Sequence, residues 1–278
     1  MVRSFVREKR IEAGSRMEVS LYVRTMDQEL SCKKPRRRKR KLARPAQKNW
    51  NSKESKRYAK LLLFTNFGKG DYYLTLTYSD KHHPKTLSQA KRQQNNVLKK
   101  MKRLYDKNNQ EMKYMWFTEY QFNDDDGFIK RIHHHVILSA GVSRDEVEKC
   151  WSKGRGKKLE KFGRTQARII QPEEDGMEAL ANYVTSQEKH VNGRWKKGEK
   201  RYSCSKNLTK PVEVINDHAW SQRKLESAAK SSDVGEELLL KRFPGFRIVD
   251  GIKAQYFEDS GWHMHVNLMR FDEGGESG

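Results

Sequence analysis

Cysteine is scarce in this 278-residue chain. Its three copies, Cys32, Cys150 and Cys204, lie far apart and form no Cys-x-x-Cys pair. That spacing argues against a disulfide framework and against a thiolate zinc knuckle, and it fits a reducing cytosol. Long apolar runs are also missing. The longest is about Leu61–Phe64, far short of a membrane span. The opening MVRSFVREKR is charged and has no apolar segment of the secretory kind. No Gly-x-x-x-x-Gly-Lys-[Ser/Thr] motif occurs, since Gly68-Lys69-Gly70 and Gly154-Arg155-Gly156-Lys157 lack the spacing, so a P-loop ATPase or built-in helicase is not expected. Acid is in short supply: 36 Asp+Glu stand against 58 Lys+Arg, a formal net charge of +22. Such an excess points to a polyanionic partner, nucleic acid first and an anionic membrane surface second. The 10% aromatic content is still enough to build a core.

Residues 1–46 read as a basic, partly flexible N-terminal arm. Nine of the fourteen residues 31–44 are Lys or Arg, none is acidic, and Pro35 and Pro45 bracket the run. Like charges repel and extend the chain, so the arm is expected to lie on phosphates through Lys33, Lys34, Arg36, Arg37, Arg38, Lys39, Arg40 and Lys41. Val19–Val23 reads as a short strand. Periodicity then predicts a helix over 52–67 with Ser52 as N-cap and Tyr58, Leu61 and Leu62 on its apolar stripe. A strand is expected over 71–79, and an amphipathic helix over 87–106. Strands over 113–120 and 130–139 flank the turn Asn123–Gly127, which makes a hairpin. Ser143-x-x-Glu146 is a capping box for a helix that runs to about Ser152. A strand over 165–171 and a helix over 175–189 follow. Helices over 217–229 and 234–242, then strands over 246–257 and 262–270, close the chain. This mixed order with hairpins implies an α+β fold with a mainly antiparallel sheet.

The chemistry-bearing stretch is Arg131-Ile-His-His-His-Val-Ile-Leu138. Alternation on a strand puts His133 and His135 on one face, about 7 Å apart. Ile132, His134, Val136 and Leu138 then face the core. Glu119 on the partner strand shares its face with Phe117 and Met115 and is placed to cross to the histidines. Two imidazoles and a carboxylate make a metal site with positions left open for substrate. A half-exposed histidine cluster without a ligand is the plainer alternative. Further on, Ala179–His190 forms a helix that carries Tyr183. A phenol with an ordinary pKa near 10 is a poor nucleophile unless a cation favours the phenolate; a core tyrosine is the plainer reading. Trp262-His-Met-His-Val repeats the pattern with His263 and His265, either as a polar strand face or as a further metal site. Trp151, Trp195 and Tyr202 stand among Lys and Arg as candidates for base stacking, and Lys196, Lys197, Lys200 and Arg201 form a basic loop for phosphates.

The strand Leu74-Thr-Leu-Thr-Tyr78, then Glu119 with His133-His-His135, then the Tyr183 helix resemble the three ordered motifs of the HUH endonucleases. The branch is that of rolling-circle replication initiators of plasmids and phages, related to the filamentous-phage gene II protein. Lys200–Pro211 and Pro45–Asn49 are similar to segments found in that branch. The resemblance spans roughly residues 45–215 and rests on the ordered set, not on any single motif. It implies a ferredoxin-like central antiparallel sheet flanked by helices over 47–215, with 216–278 packed on or completing the same domain. It further implies Mg²⁺ or Mn²⁺ held by His133 and His135 with Glu119 as third ligand. Tyr183 would attack single-stranded or extruded origin DNA to leave a 5′-phosphotyrosine and a free 3′-OH. A host polymerase and helicase, and the cytosol of a bacterial host, complete the expectation, with no membrane involved. Two positions depart from the pattern. Gln187 stands where many relatives have a second tyrosine, so strand handover between two tyrosines of one chain is not expected. Ser186 stands where a lysine is frequent; Lys189 is its stand-in, about 120° off the Tyr183 face. A relaxase or single-tyrosine transposase would share this chemistry. A non-enzymatic nucleic-acid-binding protein would have no use for the imidazole pair.

Overall fold

The computed structural model describes residues 4–33, 45–123, 127–154, 156–171, 177–186 and 202–271. Among them no helix is long and apolar enough to cross a membrane. The fold is mixed α/β and its sheets are antiparallel. In chain order come β1 (Ser4–Ala13), β2 (Arg16–Thr25), α1 (Met26–Lys33), α2 (Pro45–Asn66), β3 (Tyr72–Thr77), α3 (Leu87–Lys107), β4 (Tyr114–Phe122) and β5 (Ile129–Leu138). These are followed by α4 (Arg144–Lys149), the short β6 (Ser152–Lys153) and β7 (Glu160–Lys161), β8 (Thr165–Ile169), α5 (Glu178–Ser186) and β9 (Tyr202–Cys204). The last elements are β10 (Val212–Asn216), α6 (Gln222–Lys230), α7 (Ser232–Arg242), β11 (Phe246–Ile248), β12 (Lys253–Phe257) and β13 (Gly261–Arg270). The chain divides into two compact units, one of Met1–Asn51 with Lys210–Gly278, the other Ser52–Thr209.

In the second unit five strands run in the order β8-β3-β5-β4-β9, every pair antiparallel. Period-two alternation divides their side chains between two cores. On one face Leu74, Leu76, Trp116, Val136 and Leu138 pack against Val97, Met101 and Tyr105 of α3 and Val147 of α4. On the other, Met115, Phe117 and Ile137 pack against Ala59, Leu62 and Leu63 of α2 and Ala181 and Val184 of α5. Helix α3 is held by its N-cap, since Thr86 accepts a hydrogen bond from Gln89 N. Its buried stripe, Ala90, Val97, Met101 and Tyr105, keeps the 3.6-residue period. Helix α2 begins at Pro45, not at Ser52, in keeping with proline's preference for a first helical turn. Tyr58, expected on its apolar stripe, is 42% exposed; Ala59, Leu62 and Leu63 are buried instead. Ser143 does sit at the N-cap of α4, but its hydroxyl makes no cap bond.

The first unit differs most from the expectation. Residues 4–25, expected to be part of a flexible arm, form the hairpin β1–β2, closed by a two-residue turn in which Gly14 takes a φ of 62° that glycine allows without strain. Val6, Met17, Val19 and Leu21 fill a core, and three charged residues of the hairpin, Arg7, Glu8 and Arg16, are buried as well. Strands from the C-terminal segment pair with this hairpin in the order β10-β1-β2-β13-β11, with β12 also on β13. The core is closed by Leu225 and Ala228 of α6 and Leu239 of α7. The C-terminal segment thus shares its sheet with the N-terminal hairpin; it was expected to pack on or complete the 47–215 domain. The single strand expected over 246–257 is two, β11 and β12, separated at Asp250–Gly251.

Within that core Glu8 is 0% exposed and accepts hydrogen bonds from Trp220 Nε1 at 2.8 Å and from Arg242 Nε at 3.1 Å. A carboxylate removed from water is tolerable only while so paired. Arg242→Met is therefore expected to cost about 3 kcal/mol, read as a lower urea midpoint by Trp220 fluorescence. An unchanged midpoint would show that Glu8 does not depend on the guanidinium.

Candidate active site

The site is assembled by strand register. In the β4–β5 hairpin Glu119 pairs with His133 and Phe117 with His135. On the other side of β5, Thr77 pairs with His133 and Thr75 with His135. Alternation then sends His133 and His135 to the α2/α5 face and His134 to the α3 face. The two imidazole rings lie 4.9 Å apart, centre to centre and nearly perpendicular. Glu119 Oε2 is 3.0 Å from His133 Nε2. Glu119, His133 and His135 each offer one ligand atom, all within 4.8 Å of one another; among the described residues no other group of three or more His, Cys, Asp or Glu is placed in this way.

The protonation of these groups follows from burial. His135 is 2% exposed, and desolvation, followed by the neighbouring His133, pulls its pKa down to about 4. Burial also lowers the His133 imidazole, against the opposing pull of Glu119. Both rings are therefore neutral at neutral pH, the form that can coordinate a cation. Tyr73 Oη lies 2.7 Å from His135 Nδ1, and the two rings stack. His135 Nε2 has no hydrogen-bond partner although it is buried. A buried, unpartnered imidazole nitrogen beside a carboxylate and a second imidazole fits a metal ion.

Tyr183 stands over this cluster. Its ring is 5.3 Å from that of His135, edge to face. It is 51% exposed, which sets aside the reading as a core tyrosine. Ala181, Val184 and Thr185 bury the opposite side of α5. The helix is tied to α2 one residue from the tyrosine: Lys60 pairs with Glu178 at 3.1 Å and hydrogen-bonds Asn182 Oδ1.

Residues 71–206 match the family model described as replication-associated protein ORF2/gene II protein. Through this segment, 136 of the 278 residues, the chain is similar to that family. No curated protein and no solved structure matches the chain. The matched segment contains Glu119, His133, His135 and Tyr183, and the likeness points to a role in replication and to interaction with DNA.

Several expected site residues fall elsewhere. Lys189 and Gln187 lie outside the described residues, as do Lys34, Arg36, Arg37, Arg38, Lys39, Arg40, Lys41, Lys196, Lys197, Lys200, Arg201 and Trp195, and the side chain of Lys33. Trp151, considered for base stacking, is instead fully buried in the α3-side core, with Nε1 donating to Thr77 O at 2.7 Å. His134, polar where an aliphatic side chain would be the simplest core choice, is satisfied by Tyr78 Oη at 3.1 Å and Thr118 Oγ1 at 3.0 Å. His263 and His265 lie on β13 in the other unit, where Ser260 Oγ and Ser20 Oγ meet them at 3.0 Å each. Reading the sequence missed Tyr73. The signal was there in the strand alternation, since Tyr73, Thr75 and Thr77 share the face of the histidines.

Burial, helped by the nearby Tyr183, raises the Tyr73 pKa to about 12, so the group remains a protonated donor. When His135 keeps Nε2 for a ligand, its hydrogen sits on Nδ1 and is donated to Tyr73 Oη. Tyr73→Phe removes the partner that orients the ring. Mn²⁺ affinity, measured by electron paramagnetic resonance, is expected to fall about 10–100-fold. Unchanged affinity would mean that Tyr73 does not orient the ligand.

Proposed function

We propose that Ser52–Thr209 is an HUH endonuclease unit with a ferredoxin-like sheet that nicks and rejoins single-stranded origin DNA to start rolling-circle replication of a plasmid or phage. The observation that carries the reading is the His135–Tyr183 contact: a half-exposed phenol beside a buried imidazole with an unpartnered nitrogen. The sheet order β8-β3-β5-β4 with helices between β3 and β4 and between β5 and β8 supports the ferredoxin-like assignment.

His133, His135 and Glu119 would hold Mg²⁺ or Mn²⁺. When bound, such an ion supplies Lewis-acid polarisation of a phosphoryl oxygen. The protein's own groups do the rest. Tyr73, held by His135, directs its hydroxyl hydrogen toward the Tyr183 oxygen and so orients the phenol. Tyr183 Oη attacks phosphorus and the P–O3′ bond breaks. The phenolic proton leaves to solvent along the exposed ring edge, and the departing 3′-oxygen takes up a proton. The 5′-phosphotyrosine keeps the energy of the phosphodiester, so the reverse attack by a 3′-OH rejoins ends without ATP, consistent with the absent P-loop motif. Lys189 would assist at the tyrosine, while the Lys33–Lys41 arm and the Lys196–Arg201 loop would hold the DNA backbone. A host polymerase extends the 3′-OH, with a host helicase opening the duplex, in the cytosol of a bacterial host. A relaxase or transposase would use the same steps; the match to a replication-associated family favours replication.

Single-stranded replicon DNA incubated with Mn²⁺ is expected to give a covalent adduct with the wild type. Adduct formation should fall at least about 10³-fold in Tyr183→Phe while DNA binding is retained. Equal adduct in both proteins would show that another residue is the nucleophile.

A further inference from the structure

A second charged feature lies on the opposite side of the same sheet. Between α3, α4 and the loop after β6 there is an open depression of about 610 Å³ lined by Lys100, Arg103, Lys149, Ser152, Gly154 and Gly156 with Cys150 and Leu159, and by no carboxylate among the described residues. Its wall is built to a fixed shape. Lys100 Nζ donates to Ser152 O at 2.7 Å, Ser152 Oγ at 3.1 Å and Gly154 O at 3.2 Å. Gly154 has a φ of +75°, and a Cβ there would lie 2.1 Å from Lys158 O, so no other residue fits. Trp151 anchors the start of the loop to β3.

The charge does not stop at the depression. Helix α3 has seven basic residues, Lys91, Arg92, Lys99, Lys100, Lys102, Arg103 and Lys107, and one acidic residue, Asp106, which pairs with Lys102 at 2.8 Å. At 100° per residue Arg92, Lys99 and Arg103 fall within an arc of about 40°, and all three are exposed. They span about 17 Å of helix, close to five base-pair steps of duplex DNA. None of these three, nor Lys149, has an acidic partner among the described residues. The position invites an extended polyanion, since one phosphate would engage only one end of the stripe. Single-strand sites interleave charge with aromatic rings. The exposed face of α3 carries no ring; its one aromatic residue, Tyr105, is buried.

We propose that the α3 stripe and the Lys100–Gly154 depression form a second DNA site that holds the phosphate backbone of duplex flanking the nick, on the sheet face turned away from His133, His135 and Tyr183. The site does not depend on nicking and is tested without it. The full chain carrying Tyr183→Phe, free of divalent metal, is titrated by fluorescence anisotropy with a labelled duplex of unrelated sequence over a range of salt. Adding Arg92→Gln, Arg103→Gln and Lys149→Gln should flatten the slope of log affinity against log salt by about two to three units, near 0.9 for each phosphate released. Arg92→Lys with Arg103→Lys should retain the parent slope. An unchanged slope in a triple variant with a wild-type melting temperature would overturn the proposal. So would an equal loss of affinity for single strands, or displacement of duplex from the parent protein by millimolar inorganic phosphate at constant ionic strength.

Discussion

Strands β4 and β5 pair so that Glu119 faces His133 and Phe117 faces His135, and the chemistry of the molecule hangs on that register. A strand has a side-chain period of two, so a slip of one residue would send both imidazoles into the α3 core and turn His134 outward. The register is guarded by burial on both faces. Ile132, Val136 and Leu138 are sealed on one side, and Ile137 with Met115 and Phe117 on the other. The irregularity between Gln121 and Phe122 absorbs a mismatch near the turn, away from the histidines.

That constraint explains why three consecutive histidines can have different roles. His134 is an internal polar group with both ring nitrogens satisfied, which is how a core tolerates an imidazole. His133 is matched to a carboxylate. His135 is matched on one nitrogen only, which leaves Nε2 available to a ligand. Helix α5, fastened to α2 by Lys60, carries the phenol to the same spot from a different part of the chain. The second sheet, built from both ends of the chain, has histidines of its own, but each meets a serine hydroxyl.

Much of this was legible in the sequence because it is local. Alternation in KRIHHHVILS and KYMWFTEY gave the hairpin, the face of the histidines and the carboxylate opposite, and the stripe of α3 came out in phase. What was not legible depends on contacts distant in sequence. Tyr73 becomes a partner of His135 only because β3 pairs with β5. Of the N-terminal hairpin only a short strand over Val19–Val23 could be seen, because its sheet is completed by β13, more than two hundred residues later. Tyr58 shows the limit of periodicity from the other direction: an apolar residue at helical spacing was left at the surface, because Ala59, Leu62 and Leu63 define the contact phase of α2.

The most direct measurement of the central claim is the position of a manganese ion in crystals of the full chain grown with Mn²⁺ and recorded by anomalous scattering. The account predicts a peak in bonding contact with His135 Nε2 and shared with His133 and Glu119, facing the Tyr183 hydroxyl. A peak at His263 or His265 with none at His135, in crystals where the β4–β5 register is intact, would contradict it.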